Sequence, residues 1–131
     1  MTSRFHHVHI KSRQPRQSAQ WWADMFGATV LPEIDFGTML FVPVELSGVR
    51  INITSHGPEE EARMAEAQPI PYFGLEHIGI EVDDLDQMLD RFAAQGLTIY
   101  ERRPGAGGYE IAFVMAPDGV VLELLFDGPN E

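Results

Sequence analysis

The sequence predicts an α+β fold of two βαβββ modules, and three observations carry that expectation. His7-Val8-His9-Ile10 and His77-Ile78-Gly79-Ile80 open two similar extended runs, 70 positions apart. Each run is followed by a stretch that ends on glycine, Gln17 to Gly27 and Leu85 to Gly96. Each half then closes on a glycine turn and an apolar run: Ser47-Gly48 before Val49 to Ile53, and Asp118-Gly119 before Val120 to Leu124. Self-similarity at one spacing is the mark of a repeated supersecondary unit.

The elements follow in order. Residues 5–11 alternate and read as a strand, while Ala19, Trp22, Ala23 and Phe26 recur at helical spacing over 16–26. Gly27 is the expected helix stop. Residues 28–34 form a short extended piece limited by Pro32. Thr38 to Leu46 and Val49 to Thr54 flank Ser47-Gly48, which suits a tight hairpin turn. In the second half Leu75 to Val82 is a strand, and Asp83 or Asp84 caps a helix running to about Gln95. Leu97 to Glu101 is short and extended; Tyr109 to Met115 and Val120 to Phe126 flank the turn Ala116-Pro117-Asp118-Gly119. A single domain over 1–131 is expected, with modules at 5–56 and 75–127 and a linker at 57–74. Pro58 to Ala65 reads as one or two exposed helical turns within that linker. Arg102-Arg103-Pro104-Gly105-Ala106-Gly107-Gly108 reads as a surface loop or a mobile flap.

Composition narrows the function. The chain has 131 residues, enough for one domain with a real core. A net charge of −11 argues against nucleic acid or an anionic membrane surface as partner. No signal-peptide or membrane-spanning run stands out, so the cytoplasm is the expected compartment. The absence of cysteine removes disulfides and thiolate ligands, so any metal must take nitrogen and oxygen donors.

The duplication itself points to a centre. Asn52 lies 45 residues after His7, and Glu123 lies 46 after His77. Pseudo-twofold duplication brings equivalent positions together, and two histidines with a carboxylate there would be a metal site. A lone histidine on an apolar strand is commonly structural. Two at equivalent positions, with Glu123 inside an apolar run, argue for more, because a buried unpaired carboxylate is costly and a cation offsets that cost.

Other groups share these strands. His9 should face the same side as His7, either as an acid–base group or as part of the wall. A two-residue hairpin puts Glu45 opposite Arg50, and Arg50 shares parity with Asn52. Arg50 then anchors a substrate anion and Glu45 acts as a base, or the two form a cross-strand ion pair. His56 reads as a loop histidine, and His6 should point away from His7. Trp22, in phase with Ala19 and Phe26, is the core tryptophan; Trp21 lies outside that stripe.

Two signatures resemble the vicinal oxygen chelate superfamily, which includes glyoxalase I, extradiol dioxygenases, epimerases and bleomycin and fosfomycin resistance proteins. One is the histidine-opened strand followed by Ser18-Ala19-Gln20-Trp21-Trp22 and Met25-Phe26-Gly27, with Trp21-Trp22 in place of the usual Phe-Tyr pair. The other is Pro117-Asp118-Gly119-Val120-Val121-Leu122-Glu123-Leu124. The resemblance covers residues 5–126. It implies that the modules form an open, cup-shaped mixed β-sheet barrel, that His7, His77 and Glu123 hold one divalent metal ion (Fe, Mn, Zn, Ni or Co), and that the chain forms a homodimer. Two imidazoles and a carboxylate leave open positions for substrate. Asn52 stands where glyoxalase-like members place a fourth ligand.

The resemblance also ranks reactions. Extradiol dioxygenases carry a histidine and a tyrosine ahead of the final glutamate; here the matching stretch has Ala112-Phe113, and no histidine follows His77. Glyoxalase I itself loses its fourth ligand at Asn52. The expectation is therefore an isomerase, epimerase or lyase that works on a small oxygenated metabolite through a metal-stabilised enolate, with Glu45 or Glu123 moving the proton and Asn52, Arg50 and His9 binding substrate. A non-haem Fe(II) dioxygenase and a metal-free, antibiotic-sequestering binder are the alternatives.

Overall fold

In each half of the chain a helix is laid against one face of a mixed, open sheet. The computed structural model describes residues 2–128, and the chain divides into two compact units, Met1–Ala65 and Glu66–Glu131. The first contains β1 (Val8–Lys11), α1 (Pro15–Phe26), β2 (Thr29–Val30), β3 (Ile34–Asp35), β4 (Leu40–Leu46) and β5 (Val49–Thr54). Its sheet runs β1-β5-β4-β2, with β3 also on β4. The second contains β6 (Ile78–Glu81), α2 (Leu85–Ala94), β7 (Ile99–Pro104), β8 (Glu110–Met115) and β9 (Val121–Phe126), in the order β6-β9-β8-β7. In both, the opening strand is parallel to the closing one and the other pairings are antiparallel. The α+β class and the two βαβββ modules are as the sequence predicts.

Local chemistry explains the elements. Pro15 starts α1, where its missing N–H costs nothing. Ala19, Trp22 and Met25 bury one stripe, with Trp22 only 1% exposed. Gly27 ends the helix at φ 73°, a left-handed conformation that glycine adopts freely, and its N–H donates to the Ala23 carbonyl at 2.9 Å. Trp21 packs edge-on against Trp22 and Phe26. Of the two candidate caps for α2, Asp84 is the one used: its carboxylate accepts from the Gln87 N–H at 3.0 Å. Ser47 and Gly48 both have positive φ and pair Leu46 with Val49, the two-residue turn whose twist matches a hairpin. Asp118 and Gly119 also have positive φ. A Cβ on Gly119 would meet the Ala67 side chain at 2.6 Å, so this turn can come so close only as glycine.

Two expectations are corrected and one is met. The opening strands start at Val8 and Ile78, later than the alternation suggested. Phe5 is 80% exposed and Leu75 72%, so the upstream residues have no apolar contact to hold them in the ladder. The exposed helical turns expected in the linker are present as a 3-10 helix, Pro58–Arg63. Arg102-Arg103-Pro104 is not a flap: these residues belong to β7 and pair with Ala112, Ile111 and Glu110. Because β7 is an edge strand, Pro104 sits there without a missing ladder bond. Gly105 N–H closes the remaining tight loop on the Tyr109 carbonyl at 2.8 Å. Among the described residues, no helix is long and apolar enough to cross a membrane.

Candidate metal centre

The two faces of each sheet differ in character. In the second unit Ala112, Val114, Leu122 and Leu124 alternate with Ile111, Phe113, Val121 and Leu125, and α2 packs on this sheet. The second set forms its own cluster with Ile70 and Tyr109, without any residue of α2. Glu123 shares parity with Val121 and Leu125, so it stands on the face away from the helix. Gly79 is its partner on β6 and Phe113 its partner on β8.

His77 immediately precedes β6 and turns to the same face. Its Nε2 lies 3.6 Å from Glu123 Oε1, with the two side chains 30% and 22% exposed. The other ring nitrogen, Nδ1, is 2.9 Å from Glu76 Oε1. Phe113 meets the imidazole edge-on at 5.1 Å between ring centres, and the Arg103 guanidinium sits 5.8 Å over the Phe113 ring.

The first unit repeats this plan with other residues. His7 immediately precedes β1, His9 pairs with Asn52, and Asn52 pairs with Pro43. Ile78↔Leu122 answers Val8↔Ile51, so Asn52 and Glu123 occupy equivalent places, as the turn alignment predicted. The residue equivalent to His9 is Gly79. His7 is exposed and its ring centre lies 6.3 Å from that of His9. His9 Nε2 is 2.7 Å from Thr54 Oγ1, a fully buried hydroxyl. Burial, reinforced by the nearby Lys11 and His7, lowers the His9 pKa from its ordinary value and favours the neutral ring; Glu60 opposes this weakly. Asn52 is buried, and its Oδ1 has no hydrogen-bond partner among the described residues.

Glu45 and Arg50 face each other across the hairpin as predicted. Among the described residues no ion pair joins them, so the cross-strand pair expected there is not formed. His56 contacts Glu61 in the linker turn. His6 does not point away from His7: the two Nδ1 atoms are 2.8 Å apart. The parity argument fails because residue 6 lies outside the strand. Sequence reasoning also missed Glu76 and Thr54 as partners of histidines; Glu76 was visible as the immediate neighbour of His77, whereas Thr54 needed the register.

Among the described residues no group of three or more histidine and carboxylate side chains is gathered to hold a metal ion. The second unit contributes two donors, His77 Nε2 and Glu123 Oε1. Ligands at about 2.0–2.2 Å from a shared ion stand roughly 3 Å apart when at right angles. The observed 3.6 Å is close to that spacing. Nitrogen and oxygen donors without thiolate suit a divalent ion of the first transition row. His77 and Glu123 therefore stand as two neighbouring ligands of such an ion would, a partial donor set. The orphaned Asn52 Oδ1 is a further acceptor in search of a donor or cation.

Comparison with known proteins gives these features a context. Glyoxalase I of Saccharomyces cerevisiae is 21% identical over 141 residues; the match takes in 91% of this chain and 43% of that protein. The chain thus spans less than half the length of that relative. The crystal structure of a glyoxalase family protein from Enterococcus faecalis superposes with a TM-score of 0.72 at 20% identity, over 94% of this chain and 97% of the other. A mutant of the fosfomycin resistance protein FosX from Listeria monocytogenes, complexed with Mn(II) and 1S,2S-dihydroxypropylphosphonic acid, gives a TM-score of 0.71 at 18% identity, over 95% and 93%. At these identities the structural likeness speaks for the fold. The profile of the Glyoxalase/Bleomycin resistance protein/Dioxygenase superfamily matches residues 4–124, and the chain belongs to that superfamily.

Proposed function

We propose that this chain is a divalent-metal-dependent enzyme of the vicinal oxygen chelate type, acting on a small oxygenated metabolite as an isomerase, epimerase or lyase. The ligands in this reading are His7, His77 and Glu123. The observation that carries it is the 3.6 Å approach of His77 Nε2 to Glu123 Oε1 on the face away from α2. The Mn(II) in the FosX structure supports a divalent ion in this fold. Bound there, the ion supplies Lewis-acid stabilisation for charge developing on a substrate oxygen.

The chain's own residues do the rest. Asn52, at the register place that matches Glu123, is the substrate-binding amide of this reading. Arg50 holds an anionic substituent, and Glu45, exposed and without an ion-pair partner among the described residues, takes the proton. His9, bonded to Thr54 Oγ1, orients substrate. Phe113 opposite Glu123 cannot exchange a proton, which weighs against ring-cleaving dioxygenation. The substrate is a small molecule, and the working form is a homodimer.

Proton transfer is tested by incubating the Mn(II)- or Co(II)-loaded chain in D2O with a panel of small α-oxygenated acids and esters. Deuterium incorporation at the carbon beside the carbonyl is expected, lost in Glu45→Gln and on chelation. Oxygen consumption without exchange would favour the iron dioxygenase. Tight ligand binding unaffected by chelation, without exchange, would favour a metal-free sequestering protein.

A further inference from the structure

Each proposed histidine ligand has its Nδ1 taken by the side chain immediately before it in the sequence. Glu76 Oε1 lies 2.9 Å from His77 Nδ1, and His6 Nδ1 lies 2.8 Å from His7 Nδ1. Residues 6 and 76 are equivalent in the two copies, so the device is duplicated along with the histidines. We infer that Glu76 and His6 are positioning residues that fix the Nδ1–H tautomer of His77 and His7 and leave each Nε2 as a bare lone pair for the metal. This rests on the metal reading above.

The chemistry is constrained by the donors and acceptors. An ionised carboxylate only accepts, so a neutral His77 bonded to Glu76 must carry its proton on Nδ1. Its Nε2 is then unprotonated, and that nitrogen is the one facing Glu123. An imidazole that donates its remote N–H to a carboxylate is also a more basic and better oriented ligand. The backbone at Glu76 is itself tied down, because the Tyr72 hydroxyl donates to the carbonyls of Leu75 at 3.0 Å and Glu76 at 3.2 Å. In the first copy the 2.8 Å contact joins two Nδ1 atoms, so one must donate and the other accept. A cation on His7 Nε2 requires His7 to be the donor and His6 the acceptor. His77 thus has an anionic partner and His7 a neutral one, which makes His77 the stronger ligand.

The test reads tautomers first and metal second. Two-bond 1H–15N correlation spectra of the metal-free chain at pH 8 should show His77 protonated at Nδ1. Glu76→Gln keeps an acceptor oxygen and should preserve that pattern, whereas Glu76→Leu should move the proton to Nε2. Co(II) titration should then show binding about tenfold to a hundredfold weaker in Glu76→Leu, near wild type in Glu76→Gln, and less weakened in His6→Ala than in Glu76→Leu. An Nε2–H tautomer in the wild-type chain, or a tautomer unchanged by Glu76→Leu, overturns the inference. Tautomers as expected with no Co(II) bound by any form would sink the metal reading and the ligand role with it, while the tautomer assignment stands.

Discussion

At the residue scale the two copies differ most tellingly at one position, Asn52 against Glu123. Both sit at the same register beside the opening strand, yet one is a charge with a histidine at 3.6 Å and the other an amide whose buried Oδ1 has no partner. An unsatisfied buried acceptor costs about 1–3 kcal/mol, and an apolar group of the same shape removes that cost. We therefore expect Asn52→Leu to leave the metal-free chain as stable as wild type, or to stabilise it by up to roughly that amount, in urea unfolding. A clear loss of stability would show that Oδ1 is satisfied in solution. The equivalence of Asn52 with Glu123 was legible from spacing, because duplication makes matching residues comparable. The contacts of His6, Glu76 and Thr54 were not. They depend on side-chain rotamers and on where a strand begins, which no periodicity encodes.

Elements were read well where short-range chemistry decides them. The Ser47-Gly48 turn fixed the β4–β5 register down to Glu45 opposite Arg50, and Gly27 and Asp84 marked helix ends through their own backbone and side-chain geometry. They were misread where neighbours decide. Pro104 and the glycines after it look like loop, but an edge strand tolerates proline, so β7 runs on through Arg102 and Arg103. The linker turn Pro58–Arg63 offers a test at this scale. Glu60 accepts from the Gly57 N–H at 3.1 Å and from Lys11 Nζ at 3.1 Å. The Gly57 bond first, and the Lys11 bond after it, hold its carboxyl below the ordinary value of 4.5. A carboxyl depressed in the folded state contributes stability that is present above the unfolded value and lost as pH falls toward the folded one. Thermal unfolding should therefore show a stability loss on acidification below about pH 4.5 that is shallower in Glu60→Gln. Parallel pH profiles for the two proteins would mean that these bonds do not persist in solution.

For the whole molecule, the doubled βαβββ plan accounts for both the family and the proposed chemistry. Each unit brings one histidine directly ahead of its first strand and one polar residue in the middle of its last. On the proposed reading these are four candidate ligand places: the second copy offers His77 and Glu123, and the first offers His7 and the weaker amide of Asn52. That imbalance favours a three-ligand centre with open positions over a closed four-ligand one. The measurement that tests this most directly is elemental analysis of the chain purified without chelators or a nickel column, alongside His77→Ala, Glu123→Gln and Asn52→Ala. One equivalent of a divalent transition metal is predicted for the wild-type chain, retained in Asn52→Ala and largely lost in the other two. A metal-free wild-type chain, or full retention by Glu123→Gln, would contradict the account.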